Sequence, residues 1–162
     1  VGVAASRLAG RFGLAAADAL CAGLLHDLGV ALAYQFDSEA YAKIAESAPV
    51  DLLAAEALRF GADHAQLGGI ALAAWRLPST IVDGVASHHG DVAGSLTLTH
   101  AVIAGEALVQ IALPDAGAFG YDPAADPEAV LFELGIAAPE VHELASRVSD
   151  DAEQISAMLV AA

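Results

Sequence analysis

Apolar residues recur at helical spacing along almost the whole chain. Near the start, Val1, Ala4, Leu8 and Phe12 follow one another at intervals of three or four. The same spacing returns near the end in Val141, Leu144, Val148, Ile155 and Leu159. No segment alternates convincingly between apolar and polar residues, as a half-buried strand would. The pattern predicts an all-α, compact, multi-helix domain without a sheet.

Capping residues and helix breakers give the expected helix bounds. Gly13 and Gly61 are typical residues after a helix end, and Ser38, Asp51 and Asp63 are typical N-caps. Pro127 and Pro139 are placed to begin two further helices. In the part of the chain before Pro127, we expect helices over residues 1–11, 15–35, 38–46, 51–60, 63–75, 79–88 and 95–113.

The length of 162 residues fits a single domain. We expect a core over about 1–113, followed by a Gly- and Pro-rich loop near 114–126 and closing helices to 162. The helical pattern begins at Val1 with no cap before it, so we expect the chain to be a fragment of a longer one.

Composition narrows the classes of partner. Hydrophobic residues make up 57% of the chain but aromatic ones only 6%, which favours closely packed alanine-rich helices. Six basic against 21 acidic residues give a net charge of −15. This charge argues against nucleic acid or an anionic membrane as partners, because phosphate contacts need clustered Lys and Arg. A local pocket for a small phosphate ligand remains compatible with it.

A cytoplasmic location is expected from two features. Cys21 is the only cysteine, so no intrachain disulfide can form. The most apolar stretch, 15–36, is interrupted by Asp18, His26 and Asp27, and we therefore expect no membrane-spanning helix.

Histidines at helix ends suggest a metal site. Imidazole and carboxylate groups suit Fe, Mn, Zn or Mg, but neighbouring helical side chains point about 100° apart, so His26-Asp27 would need ligands from other helices. Taken singly, each histidine is more simply a satisfied polar group at a helix end. A blander reading of the set is a hydrogen-bonded core network that includes Glu56. As a set, the candidate ligands are His26, Asp27, His64, His88, His89 and His100.

Four motifs in order resemble a known family. Residues 22–29, Ala-Gly-Leu-Leu-His-Asp-Leu-Gly, look like the signature of HD-superfamily proteins. Glu56, the segment 60–68 (Phe-Gly-Ala-Asp-His-Ala-Gln-Leu-Gly), Trp-Arg-Leu-Pro at 75–78 and His88-His89 are similar to the HDOD family. That family is the HD-related output domain of bacterial signalling proteins. The resemblance covers about residues 1–113 and implies an HD-like helical fold.

The resemblance implies a metal site, but it also shows departures. Catalytic HD proteins are metal-dependent phosphohydrolases, and relatives that cleave cyclic di-GMP match this chain at His26, Asp27, His64, His88 and His89. Those relatives carry a late Asp, expected within 98–102, where this chain has His100. Relatives commonly carry a Lys directly after the motif glycine, where this chain has Val30. The Gly-Tyr-Pro signature that follows the paired histidines in those relatives is absent from residues 90–94.

Two functions follow as expectations. The first is a non-catalytic signalling module that binds a protein partner in its pathway, with a nucleotide or an ion as further candidate ligands. The alternative is a metal-dependent phosphohydrolase acting on a nucleotide or cyclic dinucleotide, with Asp27 as its catalytic candidate. The cofactor is accordingly either none or one to two divalent metal ions. Both site hypotheses require His26, Asp27, His64 and His88 to converge.

Overall fold

The computed structural model describes residues 1–47, 51–114 and 126–160. In these ranges every regular element is a helix, which confirms the all-α, sheet-free prediction. Residues 115–125, most of the predicted loop, lie outside the described ranges. The helices are α1 (Gly2–Ala9), α2 (Ala16–Leu25), α3 (Leu28–Phe36), α4 (Ser38–Ser47), α5 (Leu52–Phe60), α6 (His64–Ala74), α7 (Ser79–Ala86), α8 (Leu98–Ala112), α9 (Pro127–Glu133) and α10 (Ala138–Val160).

The single helix predicted over 15–35 is wrong, because the chain turns at His26-Asp27 between α2 and α3. Asp27 has φ −93° and ψ 15°, outside the helical range. The bend brings α3 against α6 so closely that a Cβ on Gly29 would lie 1.8 Å from the His64 carbonyl oxygen. The motif pair therefore lies at a bend between two helices.

The stretch Ala16–Phe36 was expected not to span a membrane. By length and composition alone it reaches the threshold for doing so. In the structure it comprises α2 and α3 with their intervening turn. Within this domain α2 packs on α1, α7 and α8, and α3 packs on α6.

Several helices are capped by the predicted residues, whereas α4 and α8 have a different N-cap residue. Asp51 and Asp63 cap α5 and α6 as predicted, and Gly61 ends α5 in the left-handed region. Asp37, rather than Ser38, caps α4 through a 3.0 Å bond from the Ala40 amide to its carboxylate. Thr97, rather than Ser95, begins α8. Both shifts place an acceptor side chain where free backbone amides need one.

Small residues let the central helices approach closely. A Cβ on Gly23 in α2 would lie 2.7 Å from the Cα of Gly2 in α1, and one on Gly105 in α8 would lie 3.0 Å from the Ala5 amide nitrogen. These contacts bring α1, α2 and α8 together, and Leu8 and Leu108 lie buried in the shared core. The small alanine and glycine side chains thus allow the helix backbones to pack closely.

Candidate metal centre

Five side chains from three segments meet at one place. His26 and Asp27 come from the turn between α2 and α3, His64 is the first residue of α6, and His88 and His89 follow α7. The Oδ1 atom of Asp27 lies 3.6 Å from His64 Nε2 and 3.8 Å from His88 Nε2. The rings of His26 and His88 have centroids 5.2 Å apart. We call these five residues the histidine cluster.

Two of the rings are oriented by backbone carbonyl groups. The Nδ1 atom of His26 donates to the Gly23 carbonyl oxygen at 3.0 Å, and that of His88 donates to the Val85 carbonyl oxygen at 2.7 Å. A carbonyl oxygen only accepts, so each Nδ1 carries a hydrogen. In the neutral ring, Nε2 is then the unprotonated nitrogen and faces the other members of the cluster.

A third ring is oriented by Glu56. Its Oε2 accepts from His64 Nδ1 at 2.7 Å and from the His64 amide at 2.8 Å, while the Tyr41 hydroxyl donates to Oε1 at 2.6 Å. Burial alone would raise the pKa of Glu56, but the bonds from His64 and Tyr41 lower it below its ordinary value. Glu56 therefore stays ionised and fixes the ring of His64, as carboxylates do behind metal-binding histidines.

Tyr41 was missed in the sequence. It lies on α4, away from the motifs, and is buried. Only the packing of α4 on α5 brings its hydroxyl to Glu56, so no local pattern identifies it. Glu56 itself was visible as a motif residue, and its bond to His64 realises part of the predicted core network.

One pair of imidazole nitrogens is as close together as two ligands of one metal ion. His89 Nε2 lies 2.9 Å from His64 Nε2, and one ligand atom from each of His64, His88 and His89 lies within 4.8 Å of the others. Two nitrogens held about 2.1 Å from one ion at right angles would be about 3.0 Å apart. The observed separation of the first pair is close to this value.

Two buried polar atoms in the cluster have no hydrogen-bond partner. They are Asp27 Oδ1 and His88 Nε2, which face each other at 3.8 Å. Buried polar atoms are nearly always paired, and this gap is too long for a hydrogen bond. One carboxylate oxygen and three imidazole nitrogens around the gap form a donor set that a divalent transition metal prefers. The residues present therefore fit such an ion.

The buried setting keeps His88 neutral. Its burial, together with the proximity of a second titratable ring in His89, lowers the pKa of His88 to about 4. Burial also lowers the pKa of His89 below its ordinary value. Neutral imidazole is the form that binds metal, so both rings are ready ligands at neutral pH.

Glu106 is a second carboxylate at the site that the sequence reasoning missed. Its Oε1 lies 3.6 Å from His26 Nε2, which is also 3.1 Å from Asp27 Oδ2. Burial alone would lower the pKa of His26, but the two carboxylates outweigh it and raise the pKa to about 9. A usable signal existed, since Glu106 is the one charged residue in the otherwise apolar run 101–109 of α8.

His100 lies apart from these groups in the described part of the chain. Its Nδ1 accepts from the Thr97 amide at 3.0 Å and completes a capping box at the start of α8. Its Nε2 is buried without a partner. The carboxylate that α8 brings near the cluster is instead Glu106, six residues further along.

In the described ranges, which contain all six Lys and Arg residues, none of these side chains forms a hydrogen bond or an ion pair with the cluster. Arg76 is exposed and lies two residues after the last residue of α6. The other five form ion pairs elsewhere: Arg7 with Asp151, Arg11 with Glu140, Lys43 with Glu39, Arg59 with Asp37, and Arg147 with Glu143. The site thus combines imidazoles and carboxylates without a Lys or Arg side chain.

Comparison with known proteins gives one family match. The model of the HDOD domain matches residues 1–90, a range that contains all five members of the histidine cluster and Glu56. Neither the curated proteins nor the solved structures contain a match. The matched range is more than half of the 162 residues and carries the predicted motifs. The chain therefore belongs to the HDOD domain family.

Proposed function

We propose that this domain is a signal-transduction output module that binds a divalent metal ion in the histidine cluster and does not hydrolyse phosphoesters. Its state is passed to a protein partner. The observation that carries the proposal is the arrangement of three imidazoles. Each donates Nδ1 to a fixed acceptor and presents Nε2 towards the cluster, where Asp27 Oδ1 has no partner.

The ligands that would hold the ion are Asp27, His64, His88 and His89, with His26 and Glu106 beside them. They lie on the turn between α2 and α3, on α6 and after α7. When bound, the ion supplies a positive charge that Asp27 and Glu106 compensate. Because its ligands come from three segments, binding favours their native arrangement over alternatives in which they separate.

The absence of a cationic partner for phosphate supports the non-catalytic proposal. Enzymes that transfer phosphoryl groups stabilise the developing charge with metal ions together with Lys or Arg. In the described part of the chain, every basic side chain lies away from the cluster, and Val30 stands where the related enzymes commonly have Lys. Two carboxylates without a Lys or Arg favour holding an ion over binding an anionic substrate.

The test is elemental analysis of the untagged protein, combined with a turnover assay. We expect stoichiometric Fe, Mn or Zn in the native protein and its loss in Asp27→Ala. Asp18→Ala is the matched control, because Asp18 is an exposed carboxylate in the first turn of α2. Supplied with Mn²⁺ or Fe²⁺, the protein should not turn over cyclic di-GMP or a generic phosphodiester. A metal-free native protein that also fails to take up added ions would reject the ion site.

A metal-dependent phosphohydrolase is the second candidate, and Glu106 is the observation that favours it. With Asp27 and Glu106 both near His26, the site has a pair of carboxylates. Such a pair can hold an ion and orient a water molecule. Hydrolysis of a nucleotide or cyclic dinucleotide that is abolished in both Asp27→Ala and Glu106→Gln, but retained in Asp18→Ala, would establish this function in place of the first.

A further inference from the structure

A line of buried hydrogen bonds joins α4 to the histidine cluster. The Tyr41 hydroxyl donates to Glu56 Oε1 at 2.6 Å, and the other carboxylate oxygen, Oε2, accepts from His64 Nδ1 at 2.7 Å. The three side chains are at most 2% exposed, so these bonds are shielded from water. Each residue belongs to a different helix, namely α4, α5 and α6. The line therefore runs from a ligand of the proposed ion site to a helix that lies outside it.

The same bonds are a main attachment of α4 and α5 to the rest of the domain. Among the described residues, Tyr41 is the only buried residue of α4 and Glu56 is the only one of α5. No described residue of either helix belongs to the main apolar core. Elements with few buried apolar contacts open locally at a lower free energy than the rest of a fold. The docking of α4 and α5 should therefore respond to a small change in these bonds.

The two oxygens of Glu56 have different partners, and this difference links the two ends of the line. Oε2 accepts from the amide of His64 at 2.8 Å as well as from its ring. In the described structure Oε1 accepts only from Tyr41. A buried carboxylate oxygen left without a donor is costly, so the position of α4 determines whether Glu56 is fully bonded. Glu56 in turn fixes the ring of His64.

We propose that Tyr41 is a positioning residue for the ion site and that the docking of α4 and α5 is coupled to ion binding in the histidine cluster. The inference rests on the proposed function, because it requires His64 to be a ligand through Nε2. The Nδ1–H group of a ring whose Nε2 holds an ion is more polarised and donates a stronger hydrogen bond to Glu56. By linkage, an ion that favours the docked helices also binds more tightly when they are docked. The α4–α5 pair is thus the element that reports ion occupancy to a protein partner.

The first measurement is hydrogen–deuterium exchange of the full chain, stripped with a chelator and then loaded with Zn²⁺. We expect Zn²⁺ to slow the exchange of amides in α4 and α5 at least about fivefold, the lower end of typical coupling between two sites. The last turn of α10 is the internal control, because its side chains are exposed and its amides should exchange equally in both states. Unchanged exchange in α4 and α5 while Zn²⁺ is bound would overturn the inference.

The second measurement isolates the Tyr41 hydroxyl. Tyr41→Phe keeps the ring, whose centroid lies 6.0 Å from that of Phe60, and removes only the bond to Glu56. In a calorimetric titration we expect its dissociation constant for Zn²⁺ to rise at least about fivefold. The protection of α4 and α5 by Zn²⁺ should be lost in the same variant. Tyr34→Phe is the matched control, because Tyr34 is exposed on α3, and it should behave like the native chain.

The outcomes separate positioning from a purely structural role. A purely structural Tyr41 would leave the Zn²⁺ affinity of Tyr41→Phe unchanged and would speed exchange in α4 equally with and without Zn²⁺, which would overturn the proposal. If Tyr41→Phe does not fold, the exchange measurement on the native chain still decides. A native chain that takes up no Zn²⁺ would reject the ion site and this inference with it. A native chain that binds Zn²⁺ without protecting α4 and α5 would reject this inference alone.

Discussion

At the residue scale, the direction of each imidazole ring decides what the histidine cluster can bind. The acceptors behind the rings are the Gly23 and Val85 carbonyl groups and the Glu56 carboxylate. Each fixes Nδ1 as a donor, so that Nε2 is the basic nitrogen of the neutral ring. The cluster is thus defined by the atoms behind the rings as much as by the rings themselves.

His100 and His88 provide a contrast between a capping histidine and a cluster histidine. We expect His100→Ala to destabilise the fold by about 1 kcal/mol, because α8 loses its capping-box partner, without changing the metal content. His88→Ala should reduce the metal content at least about tenfold. Chemical denaturation and elemental analysis of the two variants measure both effects, and metal loss in His100→Ala would place that residue among the ligands.

Gly29 is required by the contact between α3 and α6. Its substitution by alanine would place a Cβ 1.8 Å from the His64 carbonyl oxygen, so the two helices would have to separate. We expect Gly29→Ala to destabilise the protein by about 3 kcal/mol or more and to weaken metal binding. Gly10→Ala is the control, because nothing lies within 4 Å of its added Cβ. Equal stability of the two variants would contradict the close packing.

At the element scale, the backbone after α6 is strained because a residue other than glycine adopts a left-handed conformation there. Arg76 adopts φ 63° at a position that favours glycine. We expect Arg76→Gly to stabilise the fold by roughly 1 kcal/mol, since the left-handed conformation costs about that much for other residues. Arg76→Ala, which keeps the Cβ, should bring no such gain. Urea denaturation of the two variants at one protein concentration distinguishes them.

An ion pair ties α10 to α1 and gives a pH-dependent contribution to stability. Arg7 donates to both carboxylate oxygens of Asp151, at 2.5 and 2.6 Å, and this hydrogen bonding lowers the pKa of Asp151 below its ordinary value. A lowered carboxyl pKa stabilises the fold above the unfolded value of about 3.9, and the contribution disappears as the pH falls through the folded value.

A double-mutant cycle of Arg7→Ala and Asp151→Ala measures that contribution. The pair is partly exposed, so we expect a coupling free energy of only roughly 0.2–1 kcal/mol at pH 7. The coupling should fall towards zero below the folded pKa of Asp151, and high salt should also reduce it. A coupling that persisted in acid would show that packing, rather than charge, joins the two side chains.

At the scale of the whole molecule, ligands from three segments should link ion binding to global stability. With free metal at about 100 times its dissociation constant, the gain is about 2.7 kcal/mol. For a domain of this size that corresponds to a rise in Tm of about 5–10 °C. We expect a chelator to remove this rise in the native chain, whereas Asp27→Ala should melt at one temperature with or without metal. A chelator effect of equal size in both would place the ion elsewhere.

The sequence alone determined the helical class and the family, and it identified all five members of the histidine cluster as candidates. Apolar spacing fixes which segments can be helices, because it reports local periodicity. The motif order at His26-Asp27, His64 and His88-His89 identifies the family, which its match over residues 1–90 confirms. These features depend on neighbouring residues or on short spacings, and one chain therefore displays them directly.

Only the tertiary structure decided where the helix over 15–35 bends, which group orients each ring and which α8 residue reaches the site. The bend depends on how closely Gly29 approaches α6, and the choice of Glu106 over His100 depends on the face that α8 turns towards α2. Tyr41 joins the site only because α4 packs on α5. Such contacts arise between segments distant in sequence, so no local pattern encodes them. Packing also decided that a second carboxylate, Glu106, lies beside His26-Asp27.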